Sequence, residues 1–173
     1  FAPASDTLVE GDETVTLAIA SGSLLTGSGQ TSNLVTIRDG DSATVSFQSF
    51  TTTVGEEDAA TPLVLVLSTA AGNTLENGAT ITISATSGSA ENTDYDAVAF
   101  PKTVTFSAGQ GNGANQTVSF APASDTLVEG DETVTLAIAN GSLLTGSGQT
   151  SQLVTIRDGD SATVSFQSST AAV

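Results

Sequence analysis

The sequence contains no cysteine, methionine, tryptophan or histidine among its 173 residues. Without cysteine there is no disulfide bond, so the fold has to bury enough apolar surface to be stable without one. Without histidine and cysteine, the chain has no Ser/His or Cys/His nucleophile system. The same absence removes the imidazole and thiolate ligands that zinc and copper prefer in proteins.

Basic residues are also scarce, because only Arg38, Lys102 and Arg157 stand against 19 acidic residues, which gives a net charge of −16. A surface of this sign does not suit the phosphate backbone of nucleic acids or an anionic membrane surface. No apolar run in the sequence approaches the length of a membrane span. We therefore expect no nucleic-acid partner and no membrane insertion of this segment.

Short segments in which apolar and polar residues alternate make up most of the chain, separated by turns rich in Gly, Ser, Asn and Asp. Such alternation is typical of half-buried β-strands, and no segment has the period of a helix. Within one unit the pattern predicts seven strands, at residues 43–49 (continuing irregularly to 54), 63–67, 79–85, 103–106, 116–120, 132–138 and 152–157. We therefore predict an all-β fold, an immunoglobulin-like two-sheet antiparallel sandwich.

The two ends of the sequence are nearly identical. Residues 1–54 and 120–173 align without a gap at an offset of 119 residues. They differ at only five positions, which are Ser21/Asn140, Asn33/Gln152, Phe50/Ser169, Thr52/Ala171 and Thr53/Ala172. A period of this length corresponds to a whole domain rather than to one turn of a solenoid. The sequence thus predicts a tandem repeat, in which residues 1–41 end one unit, residues 42–160 form a complete unit, and residues 161–173 begin a third.

Residues 125–132, with the sequence DTLVEGDE, place four carboxylates directly before a predicted strand, and residues 6–13 repeat them. If consecutive strands run antiparallel, the loops after the first, third and fifth strands lie at the same pole of the sandwich as the end of the seventh. This acidic pole then holds twelve of the unit's thirteen acidic residues, and the opposite pole holds only Glu76. The twelve are Glu56, Glu57, Asp58, Glu91, Asp94, Asp96, Asp125, Glu129, Asp131, Glu132, Asp158 and Asp160.

Three interpretations of the acidic pole are open. The simplest is solvation, since charged residues favour exposed loops, but it does not explain why the other three loops lack acids. A carboxylate pair for glycoside hydrolysis would need a cleft and two acids with separated pKa values, which a crowded pole does not favour. The third is calcium, which takes six to eight oxygen ligands in flexible geometry. Crowded carboxylates with no basic residue nearby in sequence favour a bound cation.

Four sequence elements of the unit match a known family. They are Val54-Gly-Glu56, Thr93-Asp94-Tyr95, Asp125-x-Leu127-x-Glu129-Gly-Asp-Glu132 and Val154-Thr-Ile-Arg-Asp158-Gly-Asp160. In this combination the unit, from residue 43 to residue 160, resembles a Calx-beta domain. This is the calcium-binding sandwich of sodium–calcium exchangers, found also in integrin β4 and in large bacterial surface proteins. The resemblance implies Ca²⁺ as the bound cofactor.

The resemblance also implies which residues bind the metal. In the complete unit they are Glu56 or Glu57, Asp94, Asp125, Glu129, Glu132, Asp158 and Asp160, with Asp96 and the backbone carbonyl of Leu127 as further candidates. In the first copy of the repeated segment they are Asp6, Glu10, Glu13, Asp39 and Asp41.

We expect a structural or adhesive module of a long extracellular or cell-surface protein, and not an enzyme. Calcium at the acidic pole would join the loops of one unit and stiffen its junction with the next, which follows without a linker. The expected partners are neighbouring repeats of the same protein, arranged as a rod or filament. A calcium-dependent module for a glycan or protein ligand is the alternative, with Tyr95 as the one candidate stacking platform. A carboxylate-based glycosidase is a second alternative.

Overall fold

The computed structural model describes residues 1–22, 24 and 26–167. Within these residues the chain forms thirteen β-strands and one turn of 3-10 helix at Ala97–Ala99. The strands are β1 (Leu8–Val9), β2 (Glu13–Ala18), β3 (Ser32–Ile37), β4 (Ala43–Phe47), β5 (Thr51–Gly55), β6 (Thr61–Thr69), β7 (Thr74–Leu75), β8 (Ala79–Ser87), β9 (Lys102–Phe106), β10 (Asn115–Phe120), β11 (Glu132–Ala139), β12 (Leu144–Gly146) and β13 (Ser151–Arg157). The all-β class is confirmed. In the described part of the chain, no helix is long and apolar enough to cross a membrane.

Two sheets form the body of the complete unit. One has the strand order β10-β6-β4-β12, and the other has the order β5-β13-β11-β8-β9. Alternate residues of the strands point between the sheets, so that Leu65 and Leu67 of β6 and Val134 and Leu136 of β11 are fully buried. These side chains make one continuous apolar core. The predicted two-sheet sandwich is therefore confirmed.

The first predicted strand is divided between the two sheets. β4 pairs with β6 and, in parallel, with β12, whereas β5 pairs in parallel with β13 in the other sheet. The chain crosses between the sheets at residues 48–50, which explains why the alternation becomes irregular there. Strands that change sheets in this way form the corners of sandwiches. The sequence predicted antiparallel sheets, whereas each sheet also contains one parallel pair of strands.

β12 lies within residues 141–149, a stretch whose Gly and Ser content predicted a loop. Leu144 is fully buried, and the backbone of β12 pairs with the start of β4. Gly141 is needed for this path, because a Cβ there would lie 2.0 Å from the carbonyl oxygen of Thr80. The adjacent pair Leu143-Leu144 was the one apolar signal in this stretch.

The first copy of the repeated segment forms a separate hairpin of β2 and β3. Its register places Glu13 opposite Ile37, as Glu132 is placed opposite Ile156 between β11 and β13. The face of the hairpin that would enter a core is open, and Leu17 is 41% exposed. The copy is attached to the complete unit through β1, which pairs in parallel with β7.

Residues 161–167 repeat residues 42–48 but form no strand. Val164 and Phe166 are almost fully exposed, whereas their counterparts Val45 and Phe47 are buried. A strand of this sequence is buried in the complete unit because β6 and β12 pair with it. The remainder of the strand predicted for a third unit, residues 168–173, lies outside the described residues.

Candidate metal centre

The parallel pairing of β5 with β13 brings two acidic segments together at one end of the sandwich. Gly55 lies opposite Arg157 in this pair, and the backbone N–H of Glu56 donates to the carbonyl oxygen of Arg157 at 3.0 Å. Since parallel strands end at the same edge, Glu56 and Asp158 emerge side by side. The loop before β11 and the loop after β8 reach the same edge, as the parity of the strands predicted.

Glu56, Asp158 and Asp160 form the first carboxylate group, with one oxygen of each within 4.8 Å of the others. Asp158 is held by two loops, because its two oxygens accept hydrogen bonds from the backbone N–H groups of Glu129, in the loop before β11, at 2.5 Å and of Asp160 at 2.7 Å. Glu56 is only 7% exposed. Among the described residues, Glu56 Oε1 and Asp160 Oδ2 are buried oxygens without a hydrogen-bond donor.

Burial is the main reason why the pKa of Glu56 is raised above its ordinary value. The backbone N–H of Gly159 lowers this pKa, while the charges of Glu57, Asp158 and Asp160 raise it further. A carboxylate in such a position is destabilised in its charged form unless a cation is present.

Asp94, Asp125 and Glu129 form the second carboxylate group, again with one oxygen of each within 4.8 Å of the others. Asp94 is 9% exposed and accepts hydrogen bonds from the backbone N–H of Glu91 and from the hydroxyl of Thr93. Asp125 accepts from the backbone N–H of Leu127 at 2.6 Å, as an Asx turn does. Burial, and then the charges of Asp125 and Asp94, raise the pKa of Glu129.

Apart from Asp160, the members of the two groups line a single pocket together with Glu132. Glu132 lies at the start of β11, and a hydrogen bond with Asp94 is the main cause that raises its pKa to about 7. Burial and the charges of Asp94, Glu129 and Glu91 act in the same direction. The pocket therefore collects six carboxyl groups from four segments of the chain, which are Glu56, Asp94, Asp125, Glu129, Glu132 and Asp158.

Three of the predicted ligand positions lie outside this arrangement. The carboxylate of Glu57 sits over Gly159, where a Cβ would lie 2.2 Å from Glu57 Oε1, so it reaches the acidic pole but neither group. Asp96 is exposed and precedes the 3-10 turn, and within the described residues it belongs to neither group. Leu127 has an exposed side chain and a backbone N–H that donates to Asp125, and the role of its carbonyl oxygen as a ligand stays a prediction.

The first copy reproduces half of this centre. It contains the same three backbone hydrogen bonds, from Leu8 to Asp6 at 2.9 Å, from Glu10 to Asp39 at 2.6 Å and from Asp41 to Asp39 at 2.8 Å. Together with Glu13, these acids line a separate depression. Burial and then the charge of Glu76 are the leading causes that raise the pKa of Glu10. Within the described residues, this copy forms no carboxylate group of the kind found in the complete unit, because it lacks counterparts of Glu56 and Asp94.

Two contacts near these acids were not anticipated from the sequence. Arg157 Nε lies 3.9 Å from Asp131, although the acidic segment has no basic neighbour in sequence. Both side chains are more than half exposed, so this pair contributes little. Asn73, which the sequence indicated only as part of a turn, donates from Nδ2 to Asp41 at 2.5 Å. No sequence signal distinguishes this asparagine from the others in turns.

The residues of the pocket fit calcium. Within the part of the chain that the structure describes, both groups consist of carboxylates, and hard oxygen ligands of this kind are those that Ca²⁺ binds. Two of these oxygens are buried without a donor, and buried acceptors of this kind need a partner. Tyr95 does not serve as a stacking platform, because it is 4% exposed and stacks on Phe120 with ring centroids 5.5 Å apart.

Comparison with known proteins gives a family and a fold. The family model of the Calx-beta domain matches residues 38–166. A crystal structure of the apo form of the Calx CBD1 domain is similar with a TM-score of 0.56 and 18% identity, covering 68% of this chain and 98% of that one. The Calx CBD2 domain gives 0.54 and 11% identity, covering 67% and 86%. CBD12 from CALX1.2 gives 0.53 and 18%, covering 68% of this chain but 44% of that one.

The comparison with curated proteins gave no match. The TM-scores of 0.56 and 0.54 show that this chain shares the sandwich fold with the solved domains. Because the identities are below one fifth, the details of the site have to come from this chain's own residues. Family membership agrees with the expectation that the chain is not an enzyme. The match of the family model over most of the sequence shows that the chain belongs to the Calx-beta family.

Proposed function

We propose that the complete unit binds calcium at its acidic pole and that the metal holds four segments of the sandwich together. The observation that carries this proposal is a pair of carboxylate groups at one end of the sandwich, five of whose members line one pocket, with two buried oxygens that lack a hydrogen-bond donor. Glu56, Asp158 and Asp160 would hold the metal on one side of the pocket. Asp94, Asp125, Glu129 and Glu132 would hold it on the other.

Calcium would act here as a structural cation. The acids come from the end of β5, the loop after β8, the loop before β11 and the end of β13, so one pocket joins segments next to four neighbouring strands of the five-stranded sheet. Without a cation the charged forms of these acids are disfavoured, because burial, the hydrogen bond of Glu132 with Asp94 and then the neighbouring charges raise the pKa values of Glu56, Glu129 and Glu132. Neutralising them would favour the folded arrangement over the unfolded chain.

The unit would serve as a structural or adhesive repeat of a longer extracellular or cell-surface protein. Near-identical sequence recurs at an offset of 119 residues, which supports an array of such units. Calcium-binding modules of extracellular proteins work at about 10⁻⁴–10⁻³ M, and an array of these units would bind calcium in that range. A rod stiffened by calcium follows from metal sites placed where units meet.

A glycan-binding role receives less support. Tyr95, the ring predicted as a stacking platform, is part of the core and is not free to stack on a ligand. A glycosidase is similarly disfavoured, because the pole crowds six carboxyl groups together rather than separating one acid from one base.

The test is calcium titration by calorimetry on the full chain and on two variants of the same loop, Asp94→Asn and Asp96→Asn. Asp94 belongs to the pocket and Asp96 does not, although they are two residues apart. We expect Asp94→Asn to weaken binding by about 10–100-fold or more. Asp96→Asn should stay within about twofold of the unsubstituted chain, as for a surface change.

Circular dichroism in chelator provides the folding control for both variants. An unsubstituted chain that takes up no calcium at millimolar concentration would refute the proposal. Equal losses in Asp94→Asn and Asp96→Asn would show that the metal is held by the general charge of the pole and not by this pocket.

A further inference from the structure

Val9 and Val128 occupy the same position in the two copies of the repeated segment, yet they differ in exposure. Val9 is 2% exposed, whereas Val128 is 55% exposed. Residues 1–20 and 120–139 are identical, so the local sequence cannot cause the difference. The cause is therefore what lies beside Val9 in the complete unit.

Val9 is covered by β7, which follows the turn after β6. The backbone N–H of Thr74 donates to the carbonyl oxygen of Thr7 at 3.1 Å, and that of Glu76 donates to the carbonyl oxygen of Val9 at 3.2 Å. These bonds add β1 to β7 as a parallel strand. Val9 lies in the same apolar cluster as Leu75, which is 1% exposed. The contact is thus a strand addition with an apolar side chain at its centre.

Polar and loop contacts surround this strand pair. Asn73 donates to Asp41 at 2.5 Å, directly before β4 begins. On another side, a Cβ at Gly11 would lie 3.9 Å from Leu143, a half-buried residue of the loop before β12. The counterpart of Leu143 in the first copy, Leu24, has no such cover and is 94% exposed. The first copy therefore contacts the pole opposite the acids, and two loops of that pole make the contact.

The distribution of charge gives this contact a direction. The acids of the first copy meet a pole whose single acid is Glu76, and that pole offers the amide of Asn73 as a donor. Two acidic poles placed against each other would bring like charges together, which is unfavourable. Head-to-tail contact between identical units leaves a free surface at each end and so extends as an open line.

We propose that residues 127–128 are a docking strand for a second copy of this unit, which follows directly in sequence. Leu127 and Val128 add to β7 of that copy as β1 adds to β7 here, and Val128 fills the space beside the counterpart of Leu75. The contact rests on the proposed array of units and uses only backbone pairing and apolar burial, although residues 127–128 lie between Asp125 and Glu129 of the proposed calcium site.

The test uses thiol labelling, since the sequence contains no cysteine. The variants are Val9→Cys and Val128→Cys in the full chain, and Val128→Cys in a chain extended after Val173 by a second copy of residues 55–160. All are labelled in one calcium-containing buffer, and circular dichroism checks that each is folded. Thiol labelling requires access of the reagent, so the rate reports burial.

In the full chain we expect Val9→Cys to be labelled roughly tenfold more slowly than Val128→Cys, or slower still. The extension should reduce the rate of Val128→Cys to that of Val9→Cys. Labelling of Val128→Cys that is as fast in the extended chain as in the full chain would overturn the proposal, as would equal rates for the two variants of the full chain.

Hydrogen exchange on the extended chain without any substitution is a second readout. The amide of Glu76 is bonded to Val9, and its counterpart in the added unit should be bonded to Val128 in the same way. We expect the two amides to exchange at similar rates. Rapid exchange of the counterpart alone would overturn the proposal even if a cysteine variant failed to fold.

Discussion

The two copies of the repeated segment, residues 1–41 and 120–160, share their backbone pairing but not their surroundings. The hairpin of β2 and β3 has the register of β11 and β13. However, Leu17 is 41% exposed, whereas its counterpart Leu136 is fully buried. The comparison teaches that the local sequence determines turns, register and the hydrogen bonds of the acidic loops. Burial, and with it most of the stability, comes from strands elsewhere in the unit.

The largest difference between the two copies is expected in the free energy of unfolding, when the same leucine of the repeat is replaced by alanine in each copy. Leu136→Ala should lower the free energy of unfolding by about 2–5 kcal/mol, because it removes a fully buried side chain and leaves a cavity. Leu17→Ala should lower it by less than about 1 kcal/mol, because that side chain is already partly in water. Denaturation by urea measures both. Similar losses would mean that the first copy has a core of its own.

A second difference between the copies concerns the metal. Asp125→Ala removes a member of the group that contains Asp94 and Glu129, so calcium affinity should fall by about tenfold or more. Asp6→Ala removes the matching residue of a copy that lacks a counterpart of Asp94, and calcium binding by the complete unit should be unchanged. Calorimetric titration of the full chain gives both affinities. A larger loss from Asp6→Ala would place the principal site in the first copy.

A smaller effect is expected from pH in the absence of calcium. The pKa of Glu132 is raised to about 7 in the folded chain, through its hydrogen bond with Asp94, burial and the charges of Asp94, Glu129 and Glu91. The pKa of Glu132 is higher in the folded chain than in the unfolded chain, where it is near 4.5, so Glu132 contributes stability that is fully present below pH 4.5. This contribution is lost as the pH rises through about 7. After solvent screening the loss should be on the order of 1 kcal/mol.

Melting in chelator between pH 5 and pH 8 measures this effect. Glu132→Gln should flatten the pH dependence, whereas Glu13→Gln, the same change in the first copy, should leave it as it is. A melting temperature that rises from pH 5 to pH 8 would contradict this prediction.

Much of the fold followed from the sequence because alternation reports which side of a strand faces the core. It does not report which strand is the neighbour. The division of the first strand between β4 and β5 therefore appeared only as irregularity after residue 49. β12 was missed for a related reason, since three residues in a Gly/Ser-rich stretch give no period.

The site was predictable to the extent that the direction of strands is predictable. Parity placed Glu56, Asp94 and Asp158 at one pole although they are far apart in sequence, and the pocket contains all three. Parity does not resolve the path of a loop. Asp94 and Asp96 are two residues apart, but the chain enters a 3-10 turn after Asp96 and leaves that side chain exposed. The contact of Asn73 with Asp41 joins two copies and has no local signal.

The most direct test of the account is thermal melting of the full chain in calcium and in chelator. A ligand that binds only the folded state adds about 2.7 kcal/mol of stability when its concentration is about 100 times Kd. For a unit of this size we expect the melting temperature to rise by roughly 10 °C in saturating calcium and to fall again when chelator is added. Identical melting curves in calcium and in chelator would contradict the claim that calcium holds the acidic pole together.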